Sequence, residues 1–376
     1  MIRVLHAITG LEVGGAELAL MRLLSAVDRT RVVPEVVSLT PGGPVADQIR
    51  HLGVPVHEIG ATGARQVLPA LVRLRSLVRD GRFDVVQTWL HHADLVAGLA
   101  ARGAGVPVVW GLRMGDLRAE RRATRAVAWA NARLARRVPT AIVACASSVA
   151  SEYVDRGYPR ERVVVIPNGY AVGSSSPAGG DLRAERHIPA EALVVGRIGR
   201  WHPMKDHAGF LNAAGPLLSE DRRLHLLLVG AGVDRDNHVL AALASASPAP
   251  ERVHLLGRRD DMPSVYASLD VLCSSSSSGE GFPNVLAEAL LAGVSVVTTD
   301  VGDSAAIVGE VGWVVPPSQP ASLRAALAAA VAEEPSARAE RGRQGRTRVE
   351  THFGLAGMAS AFTDLHERVA SGGGAR

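Results

Sequence analysis

Two glutamates eight residues apart, Glu280 and Glu288, are the side chains whose type and spacing best suit a ligand. Both lie in the stretch 279–293, where Pro283 suits the first turn of a helix and Gly293 suits its end. Backbone N–H groups at the start of a helix favour anions, whereas a carboxylate accepts hydrogen bonds from hydroxyls. Two acceptors that flank a row of donors fit a ligand with hydroxyls at both ends and a diphosphate between them. That description matches a nucleotide sugar.

The elements that position these glutamates are a strand and a helix. An apolar strand is predicted at 269–273, and the serine run 274–278 leads from it into the acidic turn. The predicted helix buries an apolar stripe, formed by Val285, Leu286, Ala289 and Leu290. Taken singly, either glutamate also fits a solvated turn or a charge on a helix surface.

The full sequence of this stretch favours a ligand-binding role for the two glutamates. Glu-Gly-Phe-Pro-Asn followed by Ala-Glu-Ala-Leu closely resembles the donor-sugar signature of retaining family-4 glycosyltransferases with the GT-B fold. The resemblance covers most of the chain and is strongest over 196–300. It implies that Glu280 binds hydroxyls of the donor sugar and that Glu288 binds the ribose. The other residues that it places against the sugar and diphosphate are Gly281, Phe282, Pro283, Asn284, Val285 and Leu286.

Gly199, Arg200 and Lys205 follow the first predicted strand of the second half of the chain. Two cations after a strand, at the opening of a helix, suit a leaving diphosphate. Lys205 is the sole lysine of a chain with 41 basic residues, which points weakly to a site that needs a compact ammonium. The alternative is solvated surface charge, but an arginine with a lysine five residues on matches the family pattern. The resemblance implies that both cations neutralise the departing diphosphate.

Three further residues are predicted to line the nucleotide. Gly230 lies in a strand-to-loop turn expected at the same sheet edge, and Leu256 with Arg258 resembles the segment that cups the base. The nearby triplet Asp234-Arg235-Asp236 has the D-x-D form that holds a metal in a different glycosyltransferase fold. We expect it at the start of a helix rather than at a strand end, so we predict no metal site.

A glycine-rich loop follows the first strand, predicted at 2–8. Glycines there permit close approach of a ligand to the backbone, although the spacing is neither a Walker loop nor G-x-G-x-x-G. A plain tight turn explains the loop equally well. The resemblance assigns it to the donor diphosphate and the acceptor, with Gly15 on the donor side and Gly14 and Glu17 on the acceptor side.

Two adjacent histidines open a predicted helix after the strand at 84–88. Adjacent side chains diverge by about 100° on a helix, which argues against a shared metal. Relatives often carry a histidine that contacts the donor sugar at the position of Trp89, and this chain departs from them there. His92 matches a histidine found at the helix start of other members, so we select it over His91. Arg113 is an acceptor-side candidate.

The stretch 116–138 carries seven arginines and two acids. Such a helix can lie on an anionic membrane, and several members of the family use lipid-linked acceptors. A solvated helix in an arginine-rich protein is the alternative.

Short apolar strands alternate with helical patterns along the chain, which predicts an α/β protein with parallel sheets. The expected strands of the first half are 2–8, 32–39, 54–59, 84–88, 106–110, 140–144 and 163–166. Those of the second half are 193–198, 225–229, 253–256, 269–273, 295–298 and 313–315. The resemblance implies two Rossmann-like domains of the GT-B fold facing across a cleft, with the C-terminal helix crossing back to the N-terminal domain. The predicted divisions are an acceptor domain at 1–170, a linker at 171–190, a donor domain at 191–354, the crossover helix at 355–370 and a disordered tail at 371–376.

Composition limits the classes of protein to which the chain can belong. A chain of 376 residues with 47% apolar and 21% charged residues is globular and long enough for two domains. No apolar run reaches the roughly 18–20 residues of a membrane span, and a strand pattern starts at the N-terminus, so we expect no signal peptide. Cys145 and Cys273 end apolar strands and are predicted to be buried thiols, which fits a reducing cytoplasm.

The motifs, together with what the resemblance implies, predict a metal-independent, cofactor-free retaining glycosyltransferase. Its partners would be a donor of the UDP or GDP type and a sugar, lipid-linked or small-molecule acceptor, with no nucleic acid. We expect surface polysaccharide, glycoconjugate or natural-product biosynthesis, in the cytoplasm or on the inner membrane face. A nucleotide-sugar 2-epimerase of the same fold and a non-catalytic sugar-nucleotide binding protein are the alternatives. The epimerase needs extra carboxylates at the sugar, and no clear set is present.

Overall fold

The chain divides into two compact units. The computed structural model describes residues 1–61, 63–117, 122–171 and 181–372. The first unit comprises Met1–Gly169 and Phe353–Arg376, and the second comprises Tyr170–His352. The linker predicted at 171–190 includes a one-turn helix at Leu182–Glu185, whereas residues 172–180 lie outside the described residues.

The first unit contains a seven-stranded sheet whose described strand pairs are all parallel. Its strand order is β3-β2-β1-β4-β5-β6-β7. The strands are β1 (Ile2–Ile8), β2 (Val32–Ser38), β3 (Val56–Glu58), β4 (Val85–Trp89), β5 (Val108–Leu112), β6 (Ala141–Ala144) and β7 (Val163–Val165). The helices that connect them are α1 (Gly15–Ala26), α2 (Pro44–His51), α3 (Val67–Asp80), α4 (His91–Gly103), α5 (Arg122–Leu134) and α6 (Ser147–Asp155). The central strands are buried throughout, because helices cover both faces of a doubly wound sheet.

The second unit contains a six-stranded parallel sheet in the order β10-β9-β8-β11-β12-β13. The strands are β8 (Leu193–Ile198), β9 (Leu224–Val229), β10 (Val253–Leu255), β11 (Val271–Ser274), β12 (Ser295–Thr299) and β13 (Trp313–Val315). The helices are α7 (Leu182–Glu185), α8 (His207–Ala214), α9 (Leu217–Glu220), α10 (His238–Ser245), α11 (Met262–Ala267), α12 (Asn284–Leu291), α13 (Ser304–Val308), α14 (Pro320–Ala332) and α15 (Pro335–His352). All thirteen predicted strands are present, and the prediction of two Rossmann-like domains is confirmed.

The strand orders place one switch point in each unit. In the first sheet β1 pairs with both β2 and β4, and in the second β8 pairs with both β9 and β11. The chain winds in opposite directions from each of these strands. Ligands of open α/β sheets bind beyond the carboxyl ends of the strands at such a point. The loops after β1, β4, β8 and β11 therefore border the two switch points, where a ligand is expected.

A last helix, α16 (Leu355–Ala370), packs on the first sheet and on α1, as predicted. Phe362, Leu365 and Val369 from this helix are part of the buried core of the first unit. Arg31, the residue before β2, holds the helix through ion pairs of 2.9 Å with Asp364 and 2.6 Å with Glu367. The end of the chain thus completes the domain with which the chain begins.

Two predictions from composition are also tested. Cys145 and Cys273 are both buried and carry free thiols, as predicted. Among the described residues, every helix is too short or too polar to cross a bilayer.

Candidate functional site

The switch point of the second unit lies between the loops that follow β8 and β11. The first loop leaves Ile198 and contains a short 3-10 turn, Pro203–Lys205. The second leaves Ser274 and leads into α12, which begins at Asn284. The two strands are hydrogen-bonded neighbours, so residues 75 positions apart in sequence meet at one edge.

Lys205 and Glu280 form an ion pair at this edge. The Lys205 Nζ lies 2.5 Å from the Glu280 Oε1, and the hydroxyl of buried Ser276 donates to the same oxygen at 2.6 Å. The side chains of Lys205 and Glu280 are only 21% and 11% exposed. Burial acts to raise the pKa of Glu280, but Lys205, Ser276 and the charge of Arg197 outweigh it and lower the pKa. Glu280 is therefore ionised at neutral pH and can accept hydrogen bonds.

Arg197, which the sequence analysis did not select, holds the loop that carries Lys205. It is 1% exposed on β8, and its guanidinium donates to the Ser275 hydroxyl at 3.1 Å and to the Lys205 carbonyl. Burial lowers the pKa of Arg197, against the opposing influence of Cys273, Glu280 and Asp206. A charged residue inside an otherwise apolar strand was the signal that could have identified it.

Gly199 and Gly230 lie where two strand-end loops touch. Both have positive φ, at 155° and 153°. A Cβ at Gly230 would lie 2.1 Å from the Gly199 carbonyl oxygen, a distance that no side chain allows. Arg200 follows on the surface, with no ion pair or hydrogen bond of its guanidinium to any described residue. The structure therefore brings Lys205, but not the Arg200 head group, against Glu280.

Helix α12 begins four residues after Glu280, directly beyond the acidic turn. It ends at Leu291, and Gly293 adopts φ 81°, as expected for the predicted helix stop. Its buried residues are Leu286, Ala287, Ala289 and Leu290, while Val285 is half-buried. Pro283 is the residue before the first helical turn, and Gly281 accepts a hydrogen bond from the Asp303 N–H at 2.9 Å.

Three predicted ligand-binding side chains near α12 contact tyrosines. The phenol of Tyr170 donates to the Asn284 Oδ1 at 2.5 Å, and its ring stacks on Phe282 with centroids 6.2 Å apart. The phenol of Tyr266 donates to the Glu288 Oε2 at 2.7 Å. Sequence reasoning missed both tyrosines, because aromatic residues between strands are usually core residues.

The remaining donor candidates lie at the carboxyl end of β10. The Leu256 N–H donates to the Leu228 carbonyl at 3.0 Å, which holds this segment beside β9. Arg258 is exposed and its guanidinium lies 3.4 Å from Asp260. These residues share the sheet edge with Glu280, and their contact with a nucleotide stays a prediction.

The D-x-D triplet lies in the loop between β9 and α10, so its expected position inside the start of a helix was wrong. The Asp234 carboxylate accepts the N–H groups of Asp236 and Asn237, at 3.1 and 3.3 Å, and thereby closes a turn. Within the described part of the chain, no group of three or more His, Cys, Asp or Glu residues could hold a metal ion.

In the first unit, the glycine loop and α1 follow β1 at the other switch point. Gly14 precedes the helix and Gly15 is its exposed first residue. A Cβ at Gly14 would lie 2.4 Å from the Glu17 Oε2, so this carboxylate folds back over the helix start. Burial raises the pKa of Glu17, and the neighbouring charge of Glu12 adds to the effect. Glu17 therefore holds its proton more readily than an ordinary glutamate.

The two histidines of α4 differ in their surroundings. His91 is 3% exposed, its Nε2 lies 2.8 Å from the Tyr153 hydroxyl, and burial lowers its pKa to about 4. His92 is half-buried, so it is the more accessible of the two. The role of His92 stays a prediction.

Arg113 points into the first unit. Its guanidinium lies 4.0 Å from the centroid of the Trp89 ring and donates to the Asn168 Oδ1 at 3.0 Å. Burial lowers its pKa to about 10. The Trp89 ring is fully buried, with its N–H directed to His6 at 3.2 Å and its face stacked on Phe362. At the position where the resemblance implies a histidine in contact with the donor sugar, Trp89 is therefore part of the core of the first unit.

Both units are similar to known proteins. The family described as "Glycosyl transferase 4-like domain" matches residues 14–169, and "Glycosyl transferases group 1" matches residues 191–333. The chain is 30% identical over 329 residues to the putative glycosyltransferase EpsF of Bacillus subtilis, with 79% of each protein covered. It is 34% identical over 170 residues to the phosphatidyl-myo-inositol mannosyltransferase of Mycobacterium tuberculosis, with 44% of this chain and 43% of that protein covered.

Solved structures share the fold. The structure of HepE from Anabaena in complex with UDP and glucose superposes with a TM-score of 0.84 at 21% identity. The superposition covers 98% of this chain and all of that one.

Proposed function

Because this chain belongs to the GT-B glycosyltransferases, we propose that it is a retaining family-4 enzyme that transfers a sugar from a nucleoside diphosphate sugar to an acceptor hydroxyl. The observation that carries the proposal is the Lys205–Glu280 pair beside the first turn of α12. This pair supports the proposal because an ammonium suits a diphosphate and a carboxylate suits hydroxyls, and the two lie together at the switch point where α/β folds bind ligands.

The proposed roles follow from charge and position. Glu280 orients the donor sugar through its hydroxyls, and Glu288 accepts the ribose hydroxyls. Lys205 and Arg200 neutralise the negative charge that grows on the diphosphate as the glycosidic C–O bond breaks. The acceptor oxygen attacks the same face of the sugar, and the leaving phosphate oxygen takes its proton. His92 and Glu17 are proposed to contact the substrates from the first unit.

The nature of the substrates is also a proposal. HepE was solved with UDP and glucose, which favours a donor of the UDP type. The mannosyltransferase relative has phosphatidyl-myo-inositol in its name, which favours a lipid-linked acceptor for this chain. We propose further that the reaction needs no metal, because the turn closed by Asp234 leaves its carboxylate bonded to backbone N–H groups.

The experiment starts from a panel of UDP and GDP sugars. Thermal stabilisation identifies the donor, and transfer or slow hydrolysis is then followed by the release of nucleoside diphosphate. The anomeric configuration of the freshly formed product, read by NMR before mutarotation, tests retention. An inverted product contradicts the retaining mechanism, formation of the 2-epimer indicates the epimerase, and tight binding without turnover indicates a binding protein.

We extend the proposal to membrane contact through α5. Residues 118–121 of the basic stretch lie outside the described residues, but α5 exposes 60% of Trp129 and stacks Arg133 over its ring at 3.2 Å. An indole with neighbouring cations suits an anionic lipid surface. Sedimentation with phosphatidylglycerol vesicles should fall several-fold in Trp129→Ser and stay unchanged in Val239→Ser, a control that is 62% exposed on the second unit. Equal binding of all three proteins contradicts this contact.

A further inference from the structure

Helix α12 presents two polar side chains on one face. Asn284 and Glu288 are four residues apart, so they are neighbours along the helix surface. The opposite face is apolar and packs inward through Leu286 and Leu290. With only eight residues, this helix positions a ligand-binding side chain only as well as the contacts around that side chain allow.

Each of these two side chains accepts a hydrogen bond from a buried tyrosine on a separate element. Tyr170, 4% exposed, reaches Asn284 from the first residue of the second unit, and Tyr266, 5% exposed, reaches Glu288 from α11. Neither phenol is at the surface, so both hydrogen bonds form in a weakly solvated environment, where they are electrostatically stronger.

The two hydrogen bonds fix the orientation of the Asn284 amide and of the Glu288 carboxylate. When the Asn284 Oδ1 accepts from Tyr170, the amide NH₂ is directed away from the phenol. A carboxylate has about four acceptor positions, so the bond from Tyr266 fixes the Glu288 carboxylate and uses one of them. Contacts to a ligand then require little additional ordering of either side chain.

We propose that Tyr170 and Tyr266 are positioning residues of the donor site, which act through Asn284 and Glu288 respectively. The inference rests on the proposed function, because it takes α12 as the nucleotide-sugar site. Tyr266 orients Glu288 for the ribose, and Tyr170 orients Asn284 for the diphosphate and the sugar.

The test compares Tyr170→Phe, Tyr266→Phe and the control Tyr158→Phe. Each change removes one hydroxyl and keeps the ring, and Tyr158 is a buried tyrosine of the first unit whose hydroxyl bonds to no described group. Dissociation constants are measured by calorimetry for UMP, UDP and UDP-glucose, and in parallel for GMP, GDP and GDP-mannose. Tyr266→Phe should weaken the binding of the monophosphate, the diphosphate and the sugar nucleotide by about 2- to 10-fold each, in whichever of the two series the wild type binds. The reason is that all three compounds contain ribose. Tyr170→Phe should weaken the diphosphate and the sugar nucleotide by a similar factor and leave the monophosphate unchanged.

A double-mutant cycle tests whether Tyr266 acts through its partner. In a Glu288→Gln background, Tyr266→Phe should cause at most half of the loss in affinity that it causes in the wild type. Full additivity, or equal affinities of wild type and both variants, overturns the inference. If the wild type binds none of these nucleotides, the proposed function itself fails, which is a distinct outcome. An effect on melting temperature without the ligand-specific pattern assigns the tyrosines a structural role only and also overturns the inference.

Discussion

Replacement of Lys205 by alanine should destabilise the second unit, because it leaves the Glu280 carboxylate in a largely buried position without its ammonium. Removing one partner of a buried ion pair costs about 3–5 kcal/mol. The two side chains here are 21% and 11% exposed, and Ser276 and Arg197 still act on the carboxylate. We therefore expect a loss of about 2–3 kcal/mol. For a domain of this size each kcal/mol shifts the melting temperature by about 2–4 °C, so the transition should fall by about 4–12 °C.

The loss of stability in Lys205→Ala relative to the wild type should depend on pH. In the wild type the pKa of Glu280 is lowered, so its contribution is present above the ordinary carboxyl pKa and is lost as the pH falls through the lowered value. In Lys205→Ala the main opposing charge is absent, and burial should raise the pKa instead. The stability of the variant should then improve on acidification, and its gap to the wild type should narrow between about pH 7.5 and pH 4.5.

Differential scanning calorimetry across this pH range measures the effect. Arg200→Ala is the matched control, because it removes an exposed cation five residues away and should shift the transition by less than about 1 °C. The double change Lys205→Ala with Glu280→Gln should recover part of the loss, since an uncharged amide can still bond to Ser276. Equal melting temperatures of Lys205→Ala and the wild type, or a difference between them that widens as the pH falls, would refute the reasoning.

Three further predictions concern the reaction. Lys205→Ala should lower turnover on the order of 100-fold or more and Lys205→Arg should restore it only in part, because a planar guanidinium places charge differently; equal rates for all three proteins would contradict the role. Glu280→Gln should mainly lower turnover, whereas Glu288→Gln should weaken nucleotide binding by about 1–3 kcal/mol; unchanged UDP or GDP affinity in both variants would remove the ribose assignment. Activity should survive excess chelator and the change of Asp234 and Asp236 to alanine; loss with chelator that manganese or magnesium reverses would show a metal requirement.

The fold follows from the sequence because buried parallel strands leave a local signal. Short apolar runs between turn residues predicted all thirteen strands, with boundaries shifted by one or two residues at several ends. The helix from Asn284 to Leu291 was equally clear, since proline and glycine mark its two ends. The D-x-D triplet was misplaced because a loop closed by aspartate has the same local composition as a helix start.

The site was predicted only in part, because contacts between distant segments leave little local signal. Lys205, Glu280 and Glu288 were selected from motifs, but the pairing of Lys205 with Glu280 depends on strands that are far apart in sequence. Arg197, Tyr170 and Tyr266 were missed, because each side chain acquires its role only through a partner on another element. Patterns of one segment cannot show such partners.

The return of α16 to the first sheet has a consequence for how the protein is made. A domain interrupted by another cannot close its core when its first 169 residues leave the ribosome, because Phe362, Leu365 and Val369 have not yet been synthesised. The second unit is continuous and carries no such requirement. Of the two units, the one whose translation starts first is therefore the one that matures last, and until then its nascent sheet exposes the apolar surface that chaperones recognise.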